Sequence, residues 1–157
     1  MKVHAEGLRL IKDFEGLALA AYLDAAGVAT IGYGHTAGVK PGDRITAEEA
    51  DRLLQADLAP VEARLQRLIR VRVSGNAFSA LASFAFNIGT GAFAKSTVLK
   101  RLNAGDRAGA ADAITLWDKA RIGGTLVRLP GLTRRRAAER ALFLTPDASA
   151  ADASGRH

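Results

Sequence analysis

Residues 76 to 89, N-A-F-S-A-L-A-S-F-A-F-N-I-G, set the tightest limit on what this chain can fold into. At helical periodicity their apolar side chains fall on every side, so a helix here has no polar face for water and belongs at the buried centre of a lobe. Ser74 stands just before it with a hydroxyl suited to capping. With 157 residues and 48% hydrophobic content, the chain can fill a core of the size one domain needs.

Helical signals dominate on both sides of that segment. Leu8, Leu10, Ile11 and Phe14 lie near helical spacing, which predicts a short amphipathic helix over residues 3 to 14 that ends at Gly16 and leaves Glu15 at its C-terminal edge. Thr46 with Glu49 three residues on resembles a capping box that opens a helix over 47 to 69. Leu54, Leu58, Val61, Leu65 and Leu68 form its apolar stripe, and Pro60, which lacks a donor and clashes with the preceding turn, predicts a kink or a split. Further helices are expected at about 96 to 104, 106 to 116 and 132 to 144. In the last of these an apolar face is expected to pack on the lobe, and Trp117, the only tryptophan, is expected in the core.

The exception is the stretch from Leu19 to Tyr33. Two short segments, L-A-A-Y-L-D and V-A-T-I-G-Y, are joined by A-A-G, which predicts a small β-hairpin with Asp24 near its turn. The expected class is therefore α+β and predominantly helical, a single domain over residues 1 to 145. It has a small hairpin lobe at about 14 to 46, a long kinked linking helix, and a helical lobe at about 70 to 145 that includes the N-terminal helix. Two lobes joined by a helix make a cleft, a common place for a ligand. From Pro146 the residues P-D-A-S-A-A-D-A-S-G-R-H are small and polar, which predicts a disordered tail.

Charge narrows the partner. Lysine and arginine number 22 against 16 acids, a net charge of +6, so nucleic acid, a membrane surface or an acidic wall polymer is the expected kind of partner. There is no cysteine, which excludes disulfides and thiolate zinc sites. No run of eighteen apolar residues occurs, and M-K-V-H-A-E-G-L-R-L lacks the apolar core of a secretory signal, so the expectation is a soluble chain with no export signal of its own.

Three polar residues stand out in F-E-G-L-A-L-A-A-Y-L-D-A-A-G-V-A-T-I-G-Y-G-H, residues 14 to 35. Glu15 has the most apolar immediate sequence of the carboxylates in the first half, flanked by Phe14, Gly16 and Leu17. A carboxylic acid that loses hydration holds its proton toward neutral pH and can act as a general acid. Asp24, near a turn, is expected to be wetter and ionised. Two carboxyl groups in contrasting surroundings suit glycoside hydrolysis, with the hydroxyl of Thr30 able to hold a water. Taken singly, each residue has a blander reading that comes first: Glu15 as a helix end paired with an arginine, Asp24 as an ordinary turn residue and Thr30 as an ordinary strand residue.

The company of T-I-G-Y-G-H, which Thr30 opens, makes the spacing specific. The sequence resembles the phage-type lysozymes, the bacteriophage endolysins of glycoside hydrolase family 24. A Glu-Gly ending the first helix, an aromatic and then Asp in a hairpin, and Thr-Ile-Gly-x-Gly-His match Glu15-Gly16, Tyr22 with Asp24, and Thr30 to His35. The resemblance continues through I-T-A-E-E-A-D-R-L-L-Q-A-D-L, F-N-I-G-T-G-A-F, S-T-V-L-K-R-L-N-A-G-D and G-L-T-R-R-R-A-A-E-R-A-L-F, so it spans roughly residues 5 to 144.

It implies a lysozyme-like two-lobed fold and a muramidase that cleaves the β-1,4 bond between N-acetylmuramic acid and N-acetylglucosamine. Glu15 is then the general acid, Asp24 the second carboxylate and Thr30 the residue that positions water. An inverting course would set the carboxylates about 6.5 to 9.5 Å apart, and the role of Asp24 as base or nucleophile stays open. Tyr33, Phe86, Asn87 and Ser96 match positions that line the saccharide groove, with core packing the competing reading of Phe86. A lone His35 lacks further ligands at local spacing, so a structural hydrogen bond is expected, and the resemblance gives Asp57 as its partner. Gly32 and Gly34 are read as positions where a side chain would obstruct the turn or the sugar. Arg134 to Arg136 would ordinarily be a solvated helix face, but the resemblance places an arginine of this region, taken as Arg135, close to the catalytic glutamate.

No metal and no cofactor are expected. The expected partners are bacterial peptidoglycan and anionic outer-membrane or wall polymers, with no nucleic acid. The chain is expected to be a monomer in the host bacterial cytoplasm until it is released to the wall. A nucleic-acid reading would use R-L-Q-R-L-I-R-V-R-V and T-R-R-R as contacts, but neither lies in a docking motif or among aromatics. An inactive wall-binding relative would be favoured by replacement of Glu15, Asp24 or Thr30, and all three are present. Membrane disruption by the basic helix at 132 to 144 is the remaining addition.

Overall fold

A computed structural model describes residues 1 to 147. In chain order the elements are α1 (Ala5–Glu15), β1 (Ala18–Leu23), β2 (Ala29–Gly32), α2 (Ala47–Leu68), α3 (Gly75–Ile88), α4 (Thr90–Ala94) and α5 (Thr97–Asn103). They continue with α6 (Arg107–Ile114), β3 (Lys119–Ile122), β4 (Thr125–Arg128) and α7 (Pro130–Leu144). Helices dominate, with two separate antiparallel pairs, β1 with β2 and β3 with β4. Contacts divide the chain into two compact units, one of Ile11–Pro60 and one of Met1–Leu10 with the chain from Val61 onward.

In the smaller unit the hairpin forms where expected. Tyr22 pairs with Thr30 and Leu23 with Ala29, and a bulge interrupts the register between Ala18 and Tyr22. Besides the hairpin, this unit contains helical residues on both sides of it, and an ion pair joins them. Lys12 Nζ lies 2.8 Å from Asp51 Oδ1, and the hydrogen bond to Asp51 holds the lysine above its ordinary pKa. The capping box is present: Glu49 N donates to Thr46 Oγ1 and Thr46 N to Glu49 Oε1, both at 3.1 Å. Ala50, Leu54 and Leu58 continue the apolar stripe, all buried. Pro60 does not split α2, which runs unbroken to Leu68.

In the larger unit α3 is central, as its sequence demands. Every residue from Asn76 to Ala85 is buried. Phe84 packs edge-on against Phe93 and Trp117, at centroid distances of 6.1 and 5.8 Å. Trp117 itself is only half-buried, so it borders the core rather than filling it. The first three N–H groups of α3 all find acceptors: Gly75 and Asn76 donate to Asp147 at 2.9 and 2.7 Å, and Ala77 to Ser74 Oγ at 3.0 Å. The two backbone N–H groups, Asn76 first, hold the Asp147 carboxyl below its usual range. Pro146 and Asp147 are therefore tied down, since Asn76 Nδ2 also donates to the Pro146 carbonyl at 3.0 Å. The rest of the expected tail, 148 to 157, lies outside the described residues.

Two features of this unit differ from expectation. The segment after Trp117 is a second hairpin, with Lys119 paired to Arg128 and Ile122 to Thr125. Gly123 and Gly124 both take positive φ, 57° and 82°, the backbone that a tight turn between twisted strands requires. The other difference is α7, whose buried stripe is not apolar. It consists of Arg135, Arg136, Glu139 and Phe143, facing α3 at helical spacing, while Leu144 is exposed. Of the three consecutive arginines only Arg134 has the solvated position expected of the run.

Candidate active site

Asp24 and Thr30 are brought together by one residue. Asp24 Oδ1 accepts from the N–H groups of Ala26 and Val28, each at 2.9 Å, a side-chain turn of the kind short acids form after a strand. Thr30 Oγ1 donates to the Val28 carbonyl, also at 2.9 Å. The two side chains therefore hold the two polar backbone groups of the same valine. Asp24 Oδ2 accepts no hydrogen bond among the described residues. Thr30 is 4% exposed, and with its hydrogen donated its oxygen still has lone pairs to accept from another group.

Glu15 closes α1 and is half-buried. Its neighbours do not enclose it as their apolar character suggests, for Phe14 is 36% and Leu17 45% exposed. The loop that follows β2 passes close to it. A Cβ placed on Gly34 would lie 3.1 Å from Glu15 Oε1, so the loop backbone passes directly beside the carboxylate. Gly34 has φ of +82° and Gly32 of +66°, a region other residues enter with strain. A side chain at Gly32 would meet Ile45 and Ala50 at ordinary contact distance, so its constraint is the backbone angle. Both glycines thus answer to the turn, and Gly34 also to the glutamate.

The same loop is anchored by His35. Its Nδ1 lies 2.8 and 3.0 Å from the two Asp57 oxygens, and its Nε2 donates to the Ala37 carbonyl at 2.9 Å. His35 N and O also pair with Ile31. The Tyr33 ring is half-buried, with Lys12 Nζ at 5.5 Å from its centroid.

The other sequence candidates lie in the larger unit. Phe86 is half-buried and Asn87 exposed, at the C-terminal end of α3. Asn87 Oδ1 accepts a hydrogen bond from Arg136 Nη2. Ser96 is 5% exposed and caps α5, donating to the Phe93 carbonyl at 2.7 Å and accepting from Leu99 N at 3.2 Å. Its only hydrogen is engaged inside the protein, which makes it a structural cap. Arg135 donates through Nε to Glu139 Oε2 at 3.2 Å and through Nη2 to Ser83 at 3.3 Å. Among the described residues no group of three or more His, Asp or Glu side chains could hold a metal ion, and no helix is long and apolar enough to cross a membrane.

The family model described as phage lysozyme matches residues 12–139. This chain belongs to the phage lysozyme family. An endolysin of Acyrthosiphon pisum secondary endosymbiont phage 1 is 48% identical over 143 residues, covering 91% of this chain and 98% of that one. The endolysin of Salmonella phage P22 is 44% identical over 150 residues, covering 92% and 99%. Among solved structures, the muramidase domain of SpmX from Asticaccaulis excentricus superposes with a TM-score of 0.88 at 46% identity, covering 92% of this chain and 99% of that domain. The fold is accordingly the α+β lysozyme fold, with the added detail that this phage lysozyme carries its second hairpin at 119 to 128.

Two parts of the lysozyme's frame escaped the sequence reading. Val28 joins Asp24 to Thr30 through its backbone, for which the only signal is the turn-like D-A-A-G-V that precedes it. The second is the fully buried pair Arg136 and Glu139. Their nearest N and O atoms are 3.3 Å apart, but not aligned for a hydrogen bond, so the contact is one of charge. Glu139 is further held by Ser83 Oγ at 2.5 Å. Burial raises the Glu139 carboxyl and lowers the Arg136 guanidinium from their ordinary values, and each partner's charge opposes the shift in the other.

Proposed function

We propose that this phage lysozyme hydrolyses bacterial peptidoglycan at the β-1,4 bond between N-acetylmuramic acid and N-acetylglucosamine, with Glu15 as general acid and Asp24 and Thr30 as the residues that hold the attacking water. The observation that supports this most is that Asp24 and Thr30 both hydrogen-bond the backbone of Val28. Asp24 keeps Oδ2 for a proton, and Thr30 keeps oxygen lone pairs. A water that donates one hydrogen to each retains a lone pair for the anomeric carbon, while Glu15 gives its proton to the departing glycosidic oxygen. The negative charge of Asp24 also steadies the positive charge that develops on the sugar ring.

Tyr33 in the smaller unit, and Phe86 and Asn87 at the end of α3, are the proposed saccharide contacts of their respective units. In this reading Arg136 fixes which end of the Asn87 amide faces outward, leaving its NH2 to donate. The test is lysis of purified cell walls by wild type, Glu15→Gln and Asp24→Asn. Losses of about a hundredfold to ten-thousandfold at unchanged Tm are expected for each, the scale of general acid and base catalysis. A Glu15→Gln protein that clears walls at the wild-type rate would refute the assignment.

A further inference from the structure

The proposed reaction leaves the basic stretch R-L-Q-R-L-I-R-V-R-V, residues 64 to 73, without a use; it has four arginines and no acid. α2 ends within it at Leu68, and the chain is then pinned to α5 from both sides. Arg70 N donates to Asn103 Oδ1 at 2.8 Å, and Asn103 Nδ2 donates to the Leu68 carbonyl at 3.0 Å. Beside this junction lies an open pocket of about 510 Å³, into which Arg70, Lys95, Lys100, Thr97 and Asn103 bring polar groups.

Its charge is one-sided. The three cations are exposed, and no lining residue is acidic. Some other cations have a carboxylate partner, as Lys12 has Asp51, Arg128 has Asp118 and Arg140 has Asp112. Among the described residues Arg70, Lys95 and Lys100 form no ion pair. Like charges around one concavity repel each other and raise the local potential, which a bound anion relieves. One carboxylate would offset a single charge of the three, whereas phosphate oxygens suit two point-charge lysines and an arginine fork together.

We propose that this pocket binds a phosphate-bearing group of the bacterial envelope and so retains the enzyme on its polymeric substrate. Arg70, Lys95 and Lys100 are not among the residues assigned to catalysis, although Ser96, matched above to the saccharide groove, also lines the pocket, and its phosphate can come from a wall polymer or from an outer-membrane glycolipid. The first probe is pyrophosphate, titrated at low salt into isotope-labelled full-length wild type and Lys95→Gln/Lys100→Gln. Saturable shifts gathered over residues 68 to 70 and 94 to 103 are expected, with binding about tenfold weaker in the double variant at unchanged Tm. No saturable shift in wild type, or equal affinity in both proteins, overturns the proposal.

Co-sedimentation then separates the sources, using walls before and after removal of phosphate by hydrofluoric acid, and vesicles with phosphorylated or dephosphorylated glycolipid. Release of the wild type from whichever dephosphorylated material identifies the partner, and undiminished retention on both overturns the proposal. Tighter binding of a single-stranded oligonucleotide of equal charge than of either envelope material also overturns it. Pyrophosphate binding needs no hydrolysis, so failure of the pocket and failure of the catalytic assignment give separate results.

Discussion

The two units use polar side chains in opposite ways. In the larger unit they are turned inward or onto helix ends: Ser74, Asp106 and Asp147 cap helices, Ser96 caps α5, and Glu139 holds two arginines beside α3. In the smaller unit Asp24, Thr30 and His35 bind the backbone of a short hairpin and its following loop, and Asp24 keeps one carboxylate oxygen without a hydrogen bond among the described residues. Regular helices satisfy their own backbone and leave side chains to pack, whereas an irregular loop must borrow side chains to satisfy its backbone. That borrowing fixes side chains in place, which is the requirement for catalysis. Substitutions in the larger unit should therefore cost stability first, and those around the loop at Gly34 activity first.

The largest effect is expected at Glu139. Glu139→Ala leaves the buried Arg136 charge without its partner, and a loss of about 3 to 5 kcal/mol in unfolding free energy should follow. A loss below about 1 kcal/mol would show that this unit does not depend on its charged interior. Next comes Gly34→Ala, which strains a backbone at φ of +82° and pushes on Glu15 Oε1. About a hundredfold should be lost from kcat, the scale of a displacement near one ångström, with a smaller proportional effect on Tm. Unchanged kcat would break the link between loop and carboxylate.

His35→Ala sharpens the comparison, because it removes a frame residue from the unit to which the proposal assigns the chemistry. It should lower stability by about 1.5 to 3 kcal/mol, the range for hydrogen bonds to charged groups, as read by denaturant unfolding. The smallest effect belongs to Asp147→Ala, about 1 kcal/mol at neutral pH for loss of a helix cap. Its sign with pH is defined. The folded state holds the Asp147 carboxyl below its ordinary value, so the stabilisation is present above that ordinary value and disappears as pH falls through the depressed one. Wild type and variant should therefore converge in acid, and a constant difference down to full protonation would contradict the capping role.

Signals confined to a few neighbouring residues were legible in the sequence. The capping box of Thr46 and Glu49, the Ser74 cap, the all-round apolar α3 and the hairpin turn at Asp24 each follow from short-range chemistry. The His35 tie to Asp57 came with the family resemblance, since spacing alone names no partner. The hairpin at 119 to 128 was missed because its strands bury no face: Ile122 and Leu126 are 54% and 57% exposed, so no alternation marks them, and only the Gly123-Gly124 pair signals a turn. The buried Arg136 and Glu139 were missed for the opposite reason. Charged residues at helical spacing resemble a solvated face until α3 is seen to supply Ser83 and Asn87 against them. Ser96 is a similar case, a family-matched position whose hydroxyl is engaged in its own helix cap.

The central claim is that Glu15 protonates the oxygen leaving N-acetylmuramic acid, and it is tested most directly by the new chain ends. Purified peptidoglycan digested by wild type and by Glu15→Gln, then reduced with borohydride and hydrolysed, should yield muramitol from the wild-type digest and only background from the variant. Glucosaminitol as the new reducing end, or equal muramitol from the variant, would contradict it.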